Sequence, residues 1–207
     1  MPVYGASVGH TPKPIAMIDR RDNSHQDTAG DGLSVPRDIS SREYAARLLT
    51  APAALVQLSL IEAKIVVSYM RPDQVPAGTT FITEGDEQNT GFMVLLLDGE
   101  VIVETITVSR THPVTTAVLG PGSLIGEMGI LDTGPRSASC TASSDIQCAV
   151  LTREALESMI AEQPAIGAKF LLAVSARIAE RYRETLKKLK LFARLAATMQ
   201  QELDRQQ

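Results

Sequence analysis

The hydrophobic pattern changes its period within this chain, and that change limits the folds open to it. Before about residue 70, apolar side chains recur every three or four positions, as on one face of a helix. Over residues 79–151 the period falls to two, and turn sequences such as Asp98-Gly99 separate the short apolar runs. Short strands with this spacing are typical of an antiparallel sandwich or barrel rather than an α/β sheet. The predicted strands cover residues 81–82, 93–97, 101–108, 114–118 and 146–151.

Helices are predicted on both sides of this β region. Ser40 or Ser41 caps a first helix that ends before Ala51-Pro52, and a second helix follows over about residues 53–70. Beyond the strands, Thr152 caps a helix that reaches about residue 163. Residues 165 to about 203 contain no proline and no glycine after Gly167, which predicts one continuous helix. Such a helix is about 60 Å long, more than a domain of this size can cover.

Three regions follow from this pattern. Residues 1–38 are rich in proline, glycine and polar residues and have no sustained apolar period, so we expect a disordered or partner-dependent tail. Residues 39–164 form the globular β unit with its short helices, and residues 165–207 form the long helix. The charged residues are also distributed unevenly between the body and the long helix. Residues 1–164 carry 11 basic and 20 acidic side chains, whereas residues 165–207 carry nine basic and four acidic ones.

The composition fits a protein of a reducing compartment. Cys140 and Cys148 lie in apolar, β-branched stretches without metal-ligand spacing, so we interpret both as free core residues. No segment resembles a signal peptide, and no apolar run approaches the roughly 18 residues of a membrane span. We therefore expect a cytoplasmic protein that does not enter a membrane.

The most informative stretch is residues 119–138, LGPGSLIGEMGILDTGPRSA, in which eight residues separate Glu127 from Arg136. It resembles the phosphate-binding cassette of cyclic nucleotide-binding domains in catabolite activator proteins, cyclic-nucleotide-dependent kinases and gated channels. The turn sequences at residues 76–78, 84–86 and 97–101 are also similar to that family. The resemblance covers about residues 45–190. It implies an eight-stranded antiparallel β-roll (jelly roll) with flanking helices.

The resemblance also implies a ligand, cAMP or cGMP, and no metal. A cyclic phosphodiester carries one negative charge that a guanidinium and backbone N–H groups stabilise, while the ribose hydroxyl needs an acceptor. Arg136 and Glu127 supply these two groups. The resemblance implies that the backbone of Gly126 approaches the sugar. It also implies that backbone amides contact the phosphate oxygens, and these belong to Met128, Gly129, Ser137 and Ala138. The residues implied to line the sugar and base, or to cover the base from the long helix, are Val103, Ala117, Ile125, Cys140, Arg177, Arg181 and Tyr182.

Ser137 bears on which nucleotide binds. Family members that prefer cGMP often have threonine directly after the cassette arginine, whereas cAMP receptors commonly have alanine or serine, so the resemblance favours cAMP. Two alternatives stay open. In the first alternative, Glu127 and Arg136 are an ordinary surface ion pair on a fold that has lost its ligand. In the second, the fold is an interaction scaffold that accepts a cyclic dinucleotide. Tyr182 either stacks on a purine or simply packs in a helical seam.

The long helix predicts a homodimer. Its seam residues Leu189, Phe192, Ala196, Met199 and Leu203 follow one another in steps of three and four, and the same register runs back through Thr185, Tyr182, Ile178, Ser175 and Leu171. Its seven basic residues between 177 and 194 surround the helix, which favours a solvated face or an acidic partner over nucleic acid. No helix-turn-helix follows, so we expect no direct DNA binding and an unidentified protein effector instead. The alternative, a DNA-binding or enzyme-linked regulator, predicts steeply salt-dependent binding to duplex DNA.

The sequence contains no recognisable set of catalytic residues. The three histidines, His10, His25 and His112, lie in loops or tails away from cysteine or acidic clusters. Ser137 and Ser139 have no nearby general base. We therefore expect a regulatory receptor that signals by ligand-coupled movement of its long helix, and not an enzyme.

Overall fold

Two four-stranded antiparallel sheets pack face to face in this protein. The structure is a computed structural model that describes residues 41–51, 54, 58–106, 113–132 and 134–205. The tail predicted for residues 1–38, the cap at Ser40 and the histidines lie outside the described residues. In chain order the elements are α1 (Ser41–Leu49), α2 (Leu60–Ser68), β1 (Arg71–Val75), β2 (Thr80–Ile82), β3 (Phe92–Asp98), β4 (Val101–Ile106), β5 (Pro113–Leu119), β6 (Leu124–Ile125), α3 (Glu127–Leu131), β7 (Ser139–Ala142), β8 (Ile146–Thr152), α4 (Arg153–Glu162) and α5 (Pro164–Arg205).

The strand order is β1-β8-β3-β6 in one sheet and β2-β7-β4-β5 in the other. Every strand pair is antiparallel. The eight described strands with flanking helices form the predicted β-roll, and the long C-terminal helix is also confirmed. Among the described residues, no helix is both long and apolar enough to cross a membrane.

The first sheet is buried on both faces, which explains the continuous apolar run of β3. Val94 and Leu96 point between the two sheets, whereas Met93, Leu95 and Leu97 point to a second core under the helices. Because side chains alternate along a strand, one strand contributes to both cores. The helical core includes Phe170 and Val174 of α5, so the long helix is fixed to the sheet at its N-terminal end.

Two strands do not show the expected period. β1 contains Pro72, and the sequence pattern predicts no strand there. β1 is an edge strand paired only with β8, and an edge position tolerates a residue without an N–H group. β7 is four residues long and half polar, too short to show a period in the sequence.

The second helix begins later than predicted. Ala54 and Leu58 lie in bends, so the helix predicted from residue 53 is wrong at its start. Ser59 forms a capping box, in which its hydroxyl accepts from the Glu62 amide and its own amide donates to the Glu62 carboxylate. The predicted Thr152 cap of α4 is confirmed, since its hydroxyl accepts from the Ala155 amide at 3.3 Å.

The α2 capping box also connects to α5. The Lys169 ammonium donates to both carboxylate oxygens of Glu62, at 2.8 and 2.9 Å. These bonds from Lys169, with those from Ser59, lower the pKa of Glu62 from 4.5 to about 2. A group whose pKa is lower in the folded state stabilises the fold above its unfolded pKa and loses that effect as pH falls.

We expect Glu62→Gln to lower the free energy of unfolding at neutral pH. The difference from the unmodified protein should shrink as pH falls from 4.5 toward 2, because Glu62 becomes protonated there. Chemical denaturation over this pH range measures it. Glu157→Gln, on the exposed side of α4, is the control and should show no such trend. A pH-independent difference for Glu62→Gln would contradict the role assigned to the ion pair.

Candidate functional site

A cavity of about 300 Å³ lies between the cassette (residues 119–138), the second sheet and the exposed half of α5. Its wall combines the buried charges of the cassette with apolar side chains from the strands. The lining residues are Ile82, Val103, Leu119, Ile125, Gly126, Glu127, Met128, Gly129, Pro135, Arg136, Ser137, Ala138, Cys140, Ile178, Arg181, Tyr182 and Thr185.

The Arg136 side chain is held in a cage of backbone carbonyl oxygens. Its Nε and Nη2 both donate to the carbonyl oxygen of Asn89, at 3.0 and 2.8 Å, and Nη2 also donates to that of Phe92 at 3.1 Å. Nη1 donates to the carbonyl oxygen of Gly126 at 3.2 Å. The guanidinium also lies 4.3 Å from the ring centroid of Phe92. Among the described residues, acceptors take four of its five N–H groups, and one on Nη1 is left for a further acceptor.

Burial of this cation has an electrostatic cost. Arg136 is only 5% exposed, and desolvation lowers its pKa. Glu127 and Arg136 do not pair with each other within 4.0 Å, and among the described residues no carboxylate pairs with Arg136. The surface ion pair considered from the sequence is therefore absent. Backbone carbonyl dipoles supply the hydrogen bonds of the guanidinium, and the carboxylates of Asp86 and Glu127, which do not pair with it directly, partly offset the lowering of its pKa, so it retains its positive charge for an anion.

Two glycines make room for the guanidinium. Gly126 has φ +76°, and a Cβ added there would lie 2.7 Å from Arg136 Nη1. A Cβ added at Gly129 would lie 2.6 Å from the same atom and 2.4 Å from the Thr90 carbonyl oxygen. These glycines were expected to bring their backbone to a ligand. Gly129 N–H instead donates to the Gly126 carbonyl oxygen at 3.1 Å, so it closes the turn rather than pointing to the cavity.

The loop between β2 and β3 holds the other side of the cage. The Asp86 carboxylate accepts hydrogen bonds from the Gln88 and Asn89 amides and from the Asn89 side chain. These bonds lower the pKa of Asp86, the largest contribution being that of the Gln88 amide. The Asp86 carbonyl oxygen accepts from the Arg136 amide at 3.0 Å. Asp86 thus shapes the turn that presents the Asn89 carbonyl to Arg136.

Glu127 connects the cassette to the long helix. It is 5% exposed, and its Oε1 lies 2.5 Å from Nη1 of Arg181 on α5. The ion pair joins residues 54 positions apart in sequence. It ties the first residue of α3 to the part of α5 that leaves the body of the protein.

The predicted site residues fall into two groups. All fourteen except Ala117 and Arg177 line the cavity. Ala117 is paired with Val103 across the β4–β5 ladder and packs against the core between the sheets. Arg177 instead pairs with Glu180 at 2.6 Å. Tyr182 lines the cavity while 63% of its surface is exposed.

Five lining residues were not predicted as site residues: Ile82, Leu119, Pro135, Ile178 and Thr185. Ile178 and Thr185 lie three positions before and four positions after Arg181, on the same face of α5. This helical spacing from Arg181 is the sequence feature that could have identified both residues as part of the lining. Cys140 forms part of the apolar wall, and burial raises the pKa of its thiol to about 11, so it stays neutral.

Comparison with known proteins identifies a family for this chain. The model of the cyclic nucleotide-binding domain matches residues 72–163. A cyclic nucleotide-binding domain from Methylobacillus flagellatus has a similar structure, with 32% identity, a TM-score of 0.61 and coverage of 71% of this chain and 81% of that one. The catabolite activator protein of Thermus thermophilus gives 29% identity, a TM-score of 0.58 and coverage of 70% and 63%.

The CRP-like cAMP-activated global transcriptional regulator of Mycobacterium tuberculosis is 30% identical over 109 residues, which are 53% of this chain and 47% of that protein. The chain spans about half the length of the curated transcriptional relatives it matches. The two sheets and the cassette have the architecture of a cyclic nucleotide-binding domain. The chain belongs to the cyclic nucleotide-binding domain family.

Gly129→Ala should destabilise the protein by about 1 to 3 kcal/mol, because the added methyl group would collide with Arg136 and with the Thr90 carbonyl oxygen. Urea denaturation measures the change. Gly120→Ala is the matched control, since nothing lies within 4 Å of a Cβ added there. Equal stability of the two variants would contradict the packing role given to Gly129.

Proposed function

We propose that this protein is a regulatory cyclic-nucleotide receptor of the cytoplasm, not an enzyme, and that it binds cAMP in preference to cGMP. The observation that carries the proposal is the Arg136 guanidinium, which is buried, has no carboxylate partner among the described residues and has one N–H group left. A singly charged phosphodiester is the anion that suits it. The cavity of about 300 Å³ is at the lower end of the usual range for small-molecule sites.

The polar groups suggest one orientation of the ligand. The phosphate contacts Arg136 beside Ser137 and Ala138, and the ribose hydroxyl donates to Glu127. The base then lies between the second sheet and α5, against Val103, Tyr182 and Thr185, which all line the cavity.

Signalling follows from the shared use of Glu127. Its carboxylate already accepts from Arg181 of α5, so a ribose hydroxyl arriving there changes the bond that holds α5. A ligand shifts a conformational equilibrium only through different contacts in the two states, and this ion pair is such a contact. We propose that the resulting movement of α5 acts on a protein effector rather than directly on DNA.

Arg136→Ala should weaken cAMP binding by about 1.5 to 3 kcal/mol, or about ten- to a hundredfold in Kd, because a charge-assisted contact is lost. Isothermal titration calorimetry measures this. Arg71→Ala on β1 is the control, since Arg71 is exposed and pairs only with Asp73 among the described residues. An unchanged affinity in a folded Arg136→Ala protein would refute the site.

The preference for cAMP rests on Ser137 and on Thr185. Thr185 lines the cavity and its hydroxyl donates its hydrogen to the Arg181 carbonyl oxygen at 2.9 Å, so toward a ligand this hydroxyl can only accept. The amino group of adenine can donate to such an acceptor. The corresponding oxygen of guanine cannot. Ser137 adds only modestly, because its hydroxyl could also accept from the guanine amino group.

We expect cAMP to compete more strongly than cGMP for the site, and Thr185→Val to weaken cAMP binding about three- to tenfold while leaving cGMP binding unchanged. Thr198→Val is a matched control, because Thr198 makes the same bond to the carbonyl oxygen four residues earlier but does not line the cavity. Tighter binding of cGMP than of cAMP would refute the preference. Weakened cGMP binding in Ser137→Ala would show that the Ser137 hydroxyl accepts from the guanine amino group.

The distal part of α5 supports the proposed dimer. Leu189, Phe192 and Met199 share the apolar seam and are 61 to 69% exposed. Exposed apolar residues with alternating spacings of three and four are the pattern of a two-stranded coiled coil.

Light scattering should therefore find a dimer, and truncation after residue 184 should give a monomer because it removes Leu189, Phe192 and Met199. Phe192→Glu should have the same effect by placing like charges together, whereas Ala197→Glu, on the opposite face, should not. A monomeric full-length protein would contradict the dimer.

A further inference from the structure

Two leucines of α5 lie beside the proposed dimer seam and not in it. Leu191 and Leu195 are four residues apart, so they share one face of the helix, and they are 57% and 52% exposed. With Leu189 at an a position of the heptad and Phe192 at d, Leu191 falls at c and Leu195 at g. A two-stranded coiled coil is closed by its a and d residues, so these two leucines stay largely exposed to water in the dimer as well.

The edges of the seam are also unusually apolar. Positions e and g of a two-stranded coiled coil commonly carry glutamate and lysine. Between residues 186 and 195 the four such positions are Leu186, Lys188, Ala193 and Leu195, of which three are apolar. An apolar face that extends from a and d onto e and g is typical of a helix in a bundle of more than two helices.

The dimer would present this apolar surface as a groove on each side. In a parallel pair, the g edge of one helix lies beside the e edge of the other. Leu191 and Leu195 then form one wall of a shallow apolar groove, and Leu186 and Ala193 of the second copy form the other wall. We call this surface the lateral groove. An additional helix in it would complete the apolar face of α5.

The charges around the lateral groove are all of one sign. Residues 185–201 contain four basic residues and no acidic residue. Lys187 lies four positions before Leu191 and Arg194 three positions after it, so both cations border the groove. Among the described residues neither cation forms an ion pair, whereas Arg205 further along α5 does. The rim of the groove therefore attracts acidic groups.

This charge selects among the occupants that an apolar groove could take. A second dimer would bring the same basic segment to the groove, and like charges placed together oppose association. A membrane-surface helix inserts one broad apolar face into the lipid, but in the proposed dimer Phe192 and Met199 of that face contact the second copy. A helix with a leucine stripe bordered by aspartate or glutamate fits both the apolar walls and the basic rim.

We propose that the lateral groove is the effector-binding surface of this protein and takes an amphipathic helix whose apolar stripe is flanked by acidic residues, an inference that rests on the dimer and the protein effector of the proposed function. The apolar walls stabilise the bound helix, and the basic rim selects the partner and its orientation. The groove lies at the distal end of α5, so its occupation requires no contact with the cassette.

Fluorescence anisotropy on the full chain tests the groove with a labelled synthetic peptide of about three heptads, with leucine at a and d and glutamate at e and g. The matched peptide has lysine in place of glutamate. We expect the acidic peptide to bind at least about tenfold more tightly than the basic one. The double substitution Leu191→Ser, Leu195→Ser should weaken that binding at least about tenfold, and Lys187→Gln with Arg194→Gln about three- to tenfold at low salt. Leu172→Ser is the control, because Leu172 is a 69% exposed leucine on the proximal half of α5.

Light scattering on each variant checks that it is still a dimer, so that weaker binding reports the groove and not the seam. Equal binding of the two peptides, or undiminished binding by the Leu191→Ser, Leu195→Ser protein, would overturn the inference. A tetramer that this double variant converts to a dimer would assign the groove to further copies of the chain and overturn it too. Binding to phosphatidylserine vesicles that the double variant abolishes would do the same in favour of a membrane.

Failure of the groove and failure of the nucleotide receptor give different results. A dimer that binds cAMP by calorimetry but does not distinguish the two peptides would overturn only the groove. Recognition of the acidic peptide by a protein that binds no cyclic nucleotide would retain the groove and refute the receptor. A monomeric full-length protein would remove the groove together with the dimer.

Discussion

The structure of the site depends on one unfavourable event, the burial of the Arg136 guanidinium. A cation that is 5% exposed needs hydrogen-bond partners, and here three carbonyl oxygens accept from four of its five N–H groups while the face of Phe92 lies against it. Each of those groups restrains a separate segment. Asn89 belongs to the turn shaped by Asp86, Phe92 begins β3, and Gly126 precedes α3. The cation thus joins three parts of the chain while keeping its charge unpaired by any described carboxylate.

The buried negative charge of the site, Glu127, has a different environment. Glu127 is equally buried, but it is neutralised by Arg181, which comes from α5 rather than from the β-roll. The pair is only half-buried, since 40% of the Arg181 side chain is exposed, but removal of Arg181 would leave the buried Glu127 carboxylate without its counter-charge. This difference between the two charges gives them different uses. Arg136 is fixed within the β-roll and suits anion binding, whereas Glu127 connects the site to an element that extends beyond the domain.

Much of this could be predicted from the sequence, and the exceptions have physical reasons. The spacing of Glu127 and Arg136 indicated the cassette, and the change of period indicated the antiparallel sheets. Periodicity could not reveal β1, because Pro72 interrupts a strand that only an edge position permits. The start of α2 depended on a capping box at Ser59 rather than on the apolar period, which extends further.

The sequence pattern was also insufficient to predict all the site residues and their roles. Gly129 was identified, but its reason is the proximity of Arg136 and Thr90, which no sequence pattern reports. Ala117 was expected in the lining but packs between the sheets, while Thr185 was overlooked although its spacing from Arg181 places it on the same helical face. Partners distant in sequence, such as Arg153 with Gly129, require the three-dimensional structure.

The central claim is that the buried Arg136 guanidinium, which forms no direct ion pair with a described carboxylate, makes the cavity a cyclic-nucleotide site. Calorimetric titration of the full chain with cAMP tests it most directly. The account predicts saturable binding with one cAMP per chain, competed by cGMP but not by AMP, whose phosphate carries a second charge and lacks the ring. A folded protein that shows no saturable binding of either cyclic nucleotide, or that binds AMP equally well, would contradict it.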